Sequence, residues 1–255
     1  MQLIVEDLAV GAVPSREVRA LHAADIIVRS YDPISASLSQ AIDRLVDQGR
    51  VRQARVHEFY SVVRTPDDRA SVLSSVKVVE SGYPFYGQIV LRSGRPFGQV
   101  LTPGNCIVEQ LLLDRTGLQV GDRLAVGLAQ LTIADVVIAE PDRPLELFSF
   151  GPRLFVHNAD LDALWLLATG SRIRRFALLQ VVDPLQLDTI ASALKQAAPD
   201  GGARIDTYVT ARSAVKRFLD TLLFFLKLVG LFILMIAGMG IQSTLAALIK
   251  EKEHT

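Results

Sequence analysis

Near its end the chain runs "TLLFFLKLVGLFILMIAGMGIQSTLAAL" (residues 221–248), and no residue from 228 to 241 carries a polar side chain. As a helix, with about 1.5 Å rise per residue, 228–248 covers about 30 Å, the thickness of a bilayer's hydrocarbon core. A buried helix of a soluble protein is usually shorter and rarely closes on a charged run such as "KEKE", so the sequence predicts a transmembrane helix. Lys227 falls at the expected interface, where its ammonium reaches the headgroups. Gly230, Ala237 and Thr244 recur at heptad spacing, and Gly240 with Thr244 makes a small-xxx-small pair. These four are candidate helix-packing residues, because small side chains let another helix approach closely. The ordinary frequency of glycine in membrane helices is the competing explanation.

Charge does not orient this span. Arg212, Lys216 and Arg217 precede it and Lys250 and Lys252 follow it, so basic residues flank both ends. The opening "MQLIVEDLAVGAVP" has acids where a signal peptide is basic. A domain placed outside the cell therefore needs export information from upstream sequence.

Several function classes are excluded by what is missing. The 27 basic residues are matched by 27 acidic ones, which leaves no surplus for neutralising nucleic-acid phosphates. The densest basic cluster, Arg172, Arg174 and Arg175, reads as a solvated strand edge. A single cysteine, Cys106, forbids an internal disulfide, and the scattered His22, His57, His157 and His254 have no partners at metal-ligand spacing. No P-loop occurs, so any ATP chemistry belongs to another chain. Ser74 and Lys77 match S-x-x-K, yet they lie in an alternating strand, where positions i and i+3 point to opposite faces. Glu140 and Asp142 flank Pro141 and read as a solvated turn. No catalytic, cofactor-binding or metal-binding residue is expected, and the chain does not read as an enzyme.

The preceding two hundred residues alternate strand and helix patterns. Residues 24–30 ("ADIIVRS") read as a strand. Ile34, Leu38, Ile42 and Leu45 form a helical stripe closed by Gly49. "RVHEFYSVVRT" and "ASVLSSVKVVE" are strands separated by the turn "PDD". From 86 to 158 glycine and proline punctuate short apolar runs: "GQIVLRSG", a helix over 106–115, and the pair "GDRLAVG" and "AQLTIADVVIAE". The first texture then returns with strand "RIRRFALLQVV", the proline-started helix "PLQLDTIASALKQAA" and strand "ARIDTYV". The fold class expected is α+β, a split α/β sandwich formed by 1–85 with 165–210, an inserted small β-rich lobe over 86–164, a stalk and transmembrane helix over 211–249, and the start of a further loop at 250–255. Tyr83, Pro84, Phe85, Tyr86 and Gly87, at the junction of the two lobes, are the candidate interlobe hinge. Aromatic packing beside a proline turn is the simpler explanation.

The order and spacing of "SSVKVVESGYPFYGQIVL", "LDRTGLQVGDRLAVG", "EPDRPLELFSFGPRLFVHNADL", "ATGSRIRRFALLQV" and "FLKLVGLFILMIAGMGIQSTLAALIKEKEHT" resemble FtsX-like ABC transporter permeases, most closely the YbbP branch. The resemblance implies an extracytoplasmic domain similar to the MacB periplasmic core, with a porter-like lobe and an inserted smaller lobe, on a bacterial plasma (inner) membrane. It also implies a cytoplasmic ABC ATPase, further permease helices or a second permease copy, and membrane lipid as partners. Residues 1 to about 215 would be extracytoplasmic. The chain would be a fragment, because family members carry a membrane helix before the domain and more after it. The function expected is coupling of a partner's ATP hydrolysis to movement or extrusion of a hydrophobic, lipid-like or peptide substrate. The alternative is a single-pass anchored extracytoplasmic binding or interaction module.

Overall fold

The computed structural model describes residues 23–141, 151–164, 173–199, 202–210, 221–233 and 237. They fall into two compact units, one within 12–208 and the other in 209–255.

Among the described residues of the first unit ten strands share one mixed sheet: β1 (Ile26–Ser30), β2 (Val51–Arg64), β3 (Ser71–Val79), β4 (Val90–Leu91), β5 (Asn105–Glu109), β6 (Arg123–Val126), β7 (Ala129–Ala139), β8 (Arg153–His157), β9 (Arg174–Val181) and β10 (Arg204–Thr207). Four helices accompany them: α1 (Ala36–Asp47), α2 (Phe97–Val100), α3 (Gln110–Thr116) and α4 (Leu187–Ala197). The strand order is β10-β1-β9-β2-β3-β8-β5-β7-β4, and β6 joins both β2 and β7. The sheet therefore has an open part, β10-β1-β9-β2, and a part closed into a ring through β2, β3, β8, β5, β7 and β6.

The open part is covered on one face by α1 and α4. Ser35 caps α1 by accepting from the Leu38 amide at 3.3 Å, which satisfies one of the donors a helix start leaves unpaired. Leu38, Ile42 and Leu45 then point at the sheet, as the apolar stripe predicts. Asp183 similarly caps the turn before α4, whose Leu187, Ile190 and Leu194 meet Ile26, Val28 and Leu179 of the strands. The ring has its own core, to which each of its strands contributes: Val63, Val76, Leu154, Val108, Ile133 and Leu124 are members. On the other side of the sheet a third cluster gathers Val56, Val79, Tyr83, Leu91, Phe97 and Phe155.

One expectation needs correcting. The helix foreseen over 106–115 starts only at Gln110, and Cys106, Ile107 and Val108 belong to β5 instead. β5 is held between β7 and β8, and a strand buried on both faces has an unbroken apolar run that looks the same as a buried helix. β8 was not foreseen as a strand. Within the apolar run "GQIVLRSG" only Val90–Leu91 is strand.

In the second unit residues 221–233 are helical, with Phe224, Phe225, Leu226, Leu231, Phe232 and Ile233 exposed. Most of the expected span at 228–248 lies outside the described residues. Among the described ones, no helix is long and apolar enough to cross a membrane.

Candidate functional site

Strand alternation sends Lys77 of β3 to the face opposite the ring core, beside Glu58, its register partner on β2. The Lys77 side chain is buried, to 3% exposure, and that of Glu58 is mostly covered, at 13%. An ammonium removed from water needs compensating partners, and here it has them. Lys77 Nζ donates to Tyr83 Oη at 2.6 Å and to Glu140 Oε1 at 2.8 Å, and lies 3.5 Å from Glu58 Oε1.

The cluster extends through two arginines. Arg153 of β8 donates to Glu58 Oε1 at 3.1 Å and places Nε 3.4 Å from Glu140 Oε2. Arg174 of β9, Glu58's register partner on the other side, pairs with Glu58 Oε2 at 3.1 Å. Glu109 anchors β8 from a third direction by accepting from the Arg153 amide at 2.9 Å. Such a network trades desolvation cost for mutual attraction, and losing one partner strands the others. Its cations and carboxylates neutralise one another across four strands and the end of β7, so what it offers is electrostatic clamping.

The sequence reading missed this site. Glu140, expected in a solvated turn, has a side chain only 5% exposed, because the end of β7 delivers it against Lys77 and Arg153. The one available signal was Lys77 itself, a charge inside the apolar run "SVKVV". Ser74 is not its partner: Ser74 Oγ donates to the Val72 carbonyl at 3.2 Å.

The candidate hinge residues meet the cluster at one end. Tyr83 bonds Lys77, the Phe85 amide donates to the Ala23 carbonyl at 3.1 Å, and Tyr86 Oη donates to Asp25 Oδ2 at 2.7 Å. Asp25 is itself buried and accepts from the Val181 amide at 2.9 Å. Pro84 and Gly87, with Tyr83, Leu91, Pro96 and Phe97, line a cleft of about 440 Å³. Tyr83 and Phe97 meet edge to face at 6.3 Å, and Phe97 meets Phe155 likewise at 5.4 Å, an arrangement favoured by the ring quadrupoles. A larger depression of about 530 Å³, lined by Arg92, Gln110, Asp114 and Val120 among others, contains none of these groups. Of the candidate helix-packing residues, Gly230 has open space where a Cβ would stand and Ala237 is exposed. Gly240 and Thr244 lie outside the described residues.

Two other groups, the half-buried His57 and the buried Cys106, have shifted titration. Burial, with the Arg175 and Arg55 guanidiniums adding repulsion, lowers His57 to about 4. Burial, with Asp160 nearby, pushes the Cys106 thiol well up, which makes it inert as a nucleophile.

Over 101 residues the chain is 36% identical to the uncharacterized ABC transporter permease YbbP of Escherichia coli (strain K12). This chain is similar to an ABC transporter permease. The match takes in 40% of this chain and 12% of that relative, so it covers a small part of the longer protein. No protein-family model matches the chain. Two solved structures are similar at low identity. One is a permease-protein domain from Porphyromonas gingivalis, at 16% identity and TM-score 0.43, covering 72% of this chain and 88% of that one. The other is the extracellular domain of the noncanonic ABC-type transporter YknZ from Gram-positive bacteria, at 13% and 0.47, covering 71% and 100%. The resemblance to permeases read from the sequence is borne out by the YbbP match.

Proposed function

We propose that this chain is the extracytoplasmic domain and one membrane helix of an ABC transporter permease subunit. The observation that carries the reading is the 36% identity to YbbP over 101 residues, a level and length at which shared ancestry is the economical explanation. In this reading 1–85 with 165–210 is a porter-like lobe, 86–164 an inserted lobe, 211–249 the stalk and span, and 250–255 the start of a cytoplasmic loop. Residues 1 to about 215 face outward from a bacterial plasma membrane. The subunit is no enzyme itself. It works with a cytoplasmic ABC ATPase, with further permease helices or a second permease copy, and within membrane lipid, and it does not bind nucleic acid. Its role is to turn the ATPase's cycle into movement or extrusion of a hydrophobic, lipid-like or peptide substrate.

In the same proposal Gly230, Ala237, Gly240 and Thr244 pack against a neighbouring helix, and residues 83–87 act as the interlobe hinge. The stalk is the mechanical link: before Gly230 it has no glycine or proline from Ala211 onward, and such a helix passes a rigid-body tilt across the interface. The test is to insert two glycines after Lys216 in the full-length permease, reconstituted with its ATPase. The expected result is a large loss of ATPase-coupled activity with assembly unchanged. Undiminished activity would sink the reading.

A further inference from the structure

On the face of the sheet that carries both the helix-covered core and the ring core, polar residues separate the two along β2 and β9. The β2 row on that face runs Val51, Gln53, Arg55, His57, Phe59, with Val51 in the helix-covered core and Phe59 in the ring core. On the way into β9, Ile173 belongs to the ring core and Ala177 to the helix-covered one, and Arg175 stands between them. Arg175 is the register partner of His57, and Arg55 is the next residue of the β2 row. Directly opposite Cβ atoms of an antiparallel pair are about 5 Å apart, and same-face neighbours along a strand about 7 Å. Two guanidiniums and an imidazole therefore share one patch.

The other face of the same strands shows what is missing here. There Lys77, Arg153 and Arg174 are matched by Glu58 and Glu140. Among the described residues, none of Arg55, His57 and Arg175 forms an ion pair with a carboxylate. Glu80, just past β3, spends Oε2 on the Arg55 amide at 2.7 Å. Arg175 is aimed by one bond, from Nη1 to the Tyr31 carbonyl at 2.7 Å, which uses one donor of its fork. The Arg55 side chain is exposed. His57 Nδ1 is buried and has no hydrogen-bond partner among the described residues. For such a nitrogen an orphaned N–H is the costlier state, so the ring hydrogen belongs on Nε2, where a ligand can accept it. Burial first, then Arg175 and Arg55, hold the ring neutral at neutral pH. Separating two cores needs only neutral polar side chains such as Gln53, which do not repel one another.

We infer that Arg55, His57 and Arg175 form a binding site for a phosphate group, the two guanidiniums supplying charge and paired donors and the His57 Nε2–H a further donor. A phosphate suits this set better than a carboxylate, because its oxygens accept from three sides at once and its two charges answer two arginines. The apolar residues on either side, Phe59 and Ala177, thin the surrounding water and strengthen the attraction. Inorganic phosphate and a phosphomonoester lipid headgroup both present this group, and the experiment separates them. The site does not rest on the transporter reading, since its readout is ligand binding rather than transport.

The test is NMR of the histidine rings in the full chain, held in nanodiscs of zwitterionic lipid near neutral pH, with the His57 signals assigned through His57→Gln. Inorganic phosphate and short-chain phosphatidic acid are titrated separately, against sodium chloride at matched ionic strength. The His57 signals should shift saturably with one or both probes, and those of His22, His157 and His254 should not. A response to inorganic phosphate assigns the free anion and a response to the lipid alone assigns the headgroup, and either supports the site. Arg55→Gln and Arg175→Gln should each weaken binding about fivefold or more, as expected of charge-assisted bonds lost at a part-exposed site. Arg52→Gln, which removes the same charge from the opposite face of β2, should leave the affinity unchanged. Because Arg55 is exposed, its variant keeps the test available if Arg175→Gln fails to fold. Sodium chloride shifting His57 as much as the probes do, equal weakening by Arg52→Gln, or no saturable shift confined to His57 would overturn the site.

Discussion

Gly151 has φ +92°, and a Cβ on it would stand 2.0 Å from the Leu73 carbonyl oxygen. It leads into β8 where that strand starts its parallel ladder with β3, the Ser75 amide donating to the Pro152 carbonyl at 2.9 Å. Gly151→Ala therefore combines an unfavourable backbone region with a backbone clash, and should destabilise the fold by about 3 kcal/mol or more, read as a lowered melting temperature. His57 gives a pH signature. Its ordinary value of 6.5 applies to the unfolded chain and about 4 to the folded one. As pH falls between these values the unfolded state takes up a proton that the folded state refuses, so stability drops. Below about 4 both forms are protonated and the loss stops growing. After discounting for its partial exposure, the effect is on the order of 2 kcal/mol. His57→Gln should flatten that part of the stability curve between pH 7 and 4.5, and an unchanged slope would show that other groups dominate.

At the scale of elements, the 83–87 connection is tied down by specific bonds at Tyr83, Phe85 and Tyr86. Tyr86→Phe removes the donor to the Asp25 carboxylate and should cost about 1.5–3 kcal/mol, as for a hydrogen bond to a charged group, measured by equilibrium unfolding. The elements that were legible in the sequence carry a period that only one structure satisfies. α1 announces itself through Leu38, Ile42 and Leu45, and β2 and β3 through long β-branched runs around a turn. β5 was hidden because its burial on two faces erases the alternation, so pairing with β7 and β8 decides it rather than local propensity. The ion cluster was hidden for a different reason. Glu58, Lys77, Arg153 and Arg174 come from four separate strands and Glu140 from just beyond a fifth, and "EPD" is an ordinary turn until β7 is known to end against β3. Only Lys77 is out of place locally, and it names no partner.

At the scale of the whole molecule, what separates the two units is how their apolar residues are used. Between 23 and 208 they fill three cores, whereas Phe224, Phe225, Leu226, Leu231, Phe232 and Ile233 are exposed on a helix. In water such a surface is a standing cost of about 25 cal/mol per Å², and a helix apolar on all sides is stable when lipid replaces the water. The span reading therefore makes a quantitative prediction. One arginine at the centre of a membrane helix raises its apparent insertion free energy by about 2.5–3.5 kcal/mol, so Ala237→Arg with Met239→Arg, on either side of the middle of 228–248, should abolish stable insertion of the segment. Wild-type chain expressed in bacterial cells should remain in the membrane pellet after an alkaline carbonate wash, and the double variant should move to the supernatant with its melting transition retained. If the double variant stays as firmly bound as wild type, or wild type is itself extracted, the segment does not anchor the chain by spanning the bilayer, and the exposed apolar side chains named above must be covered by protein instead.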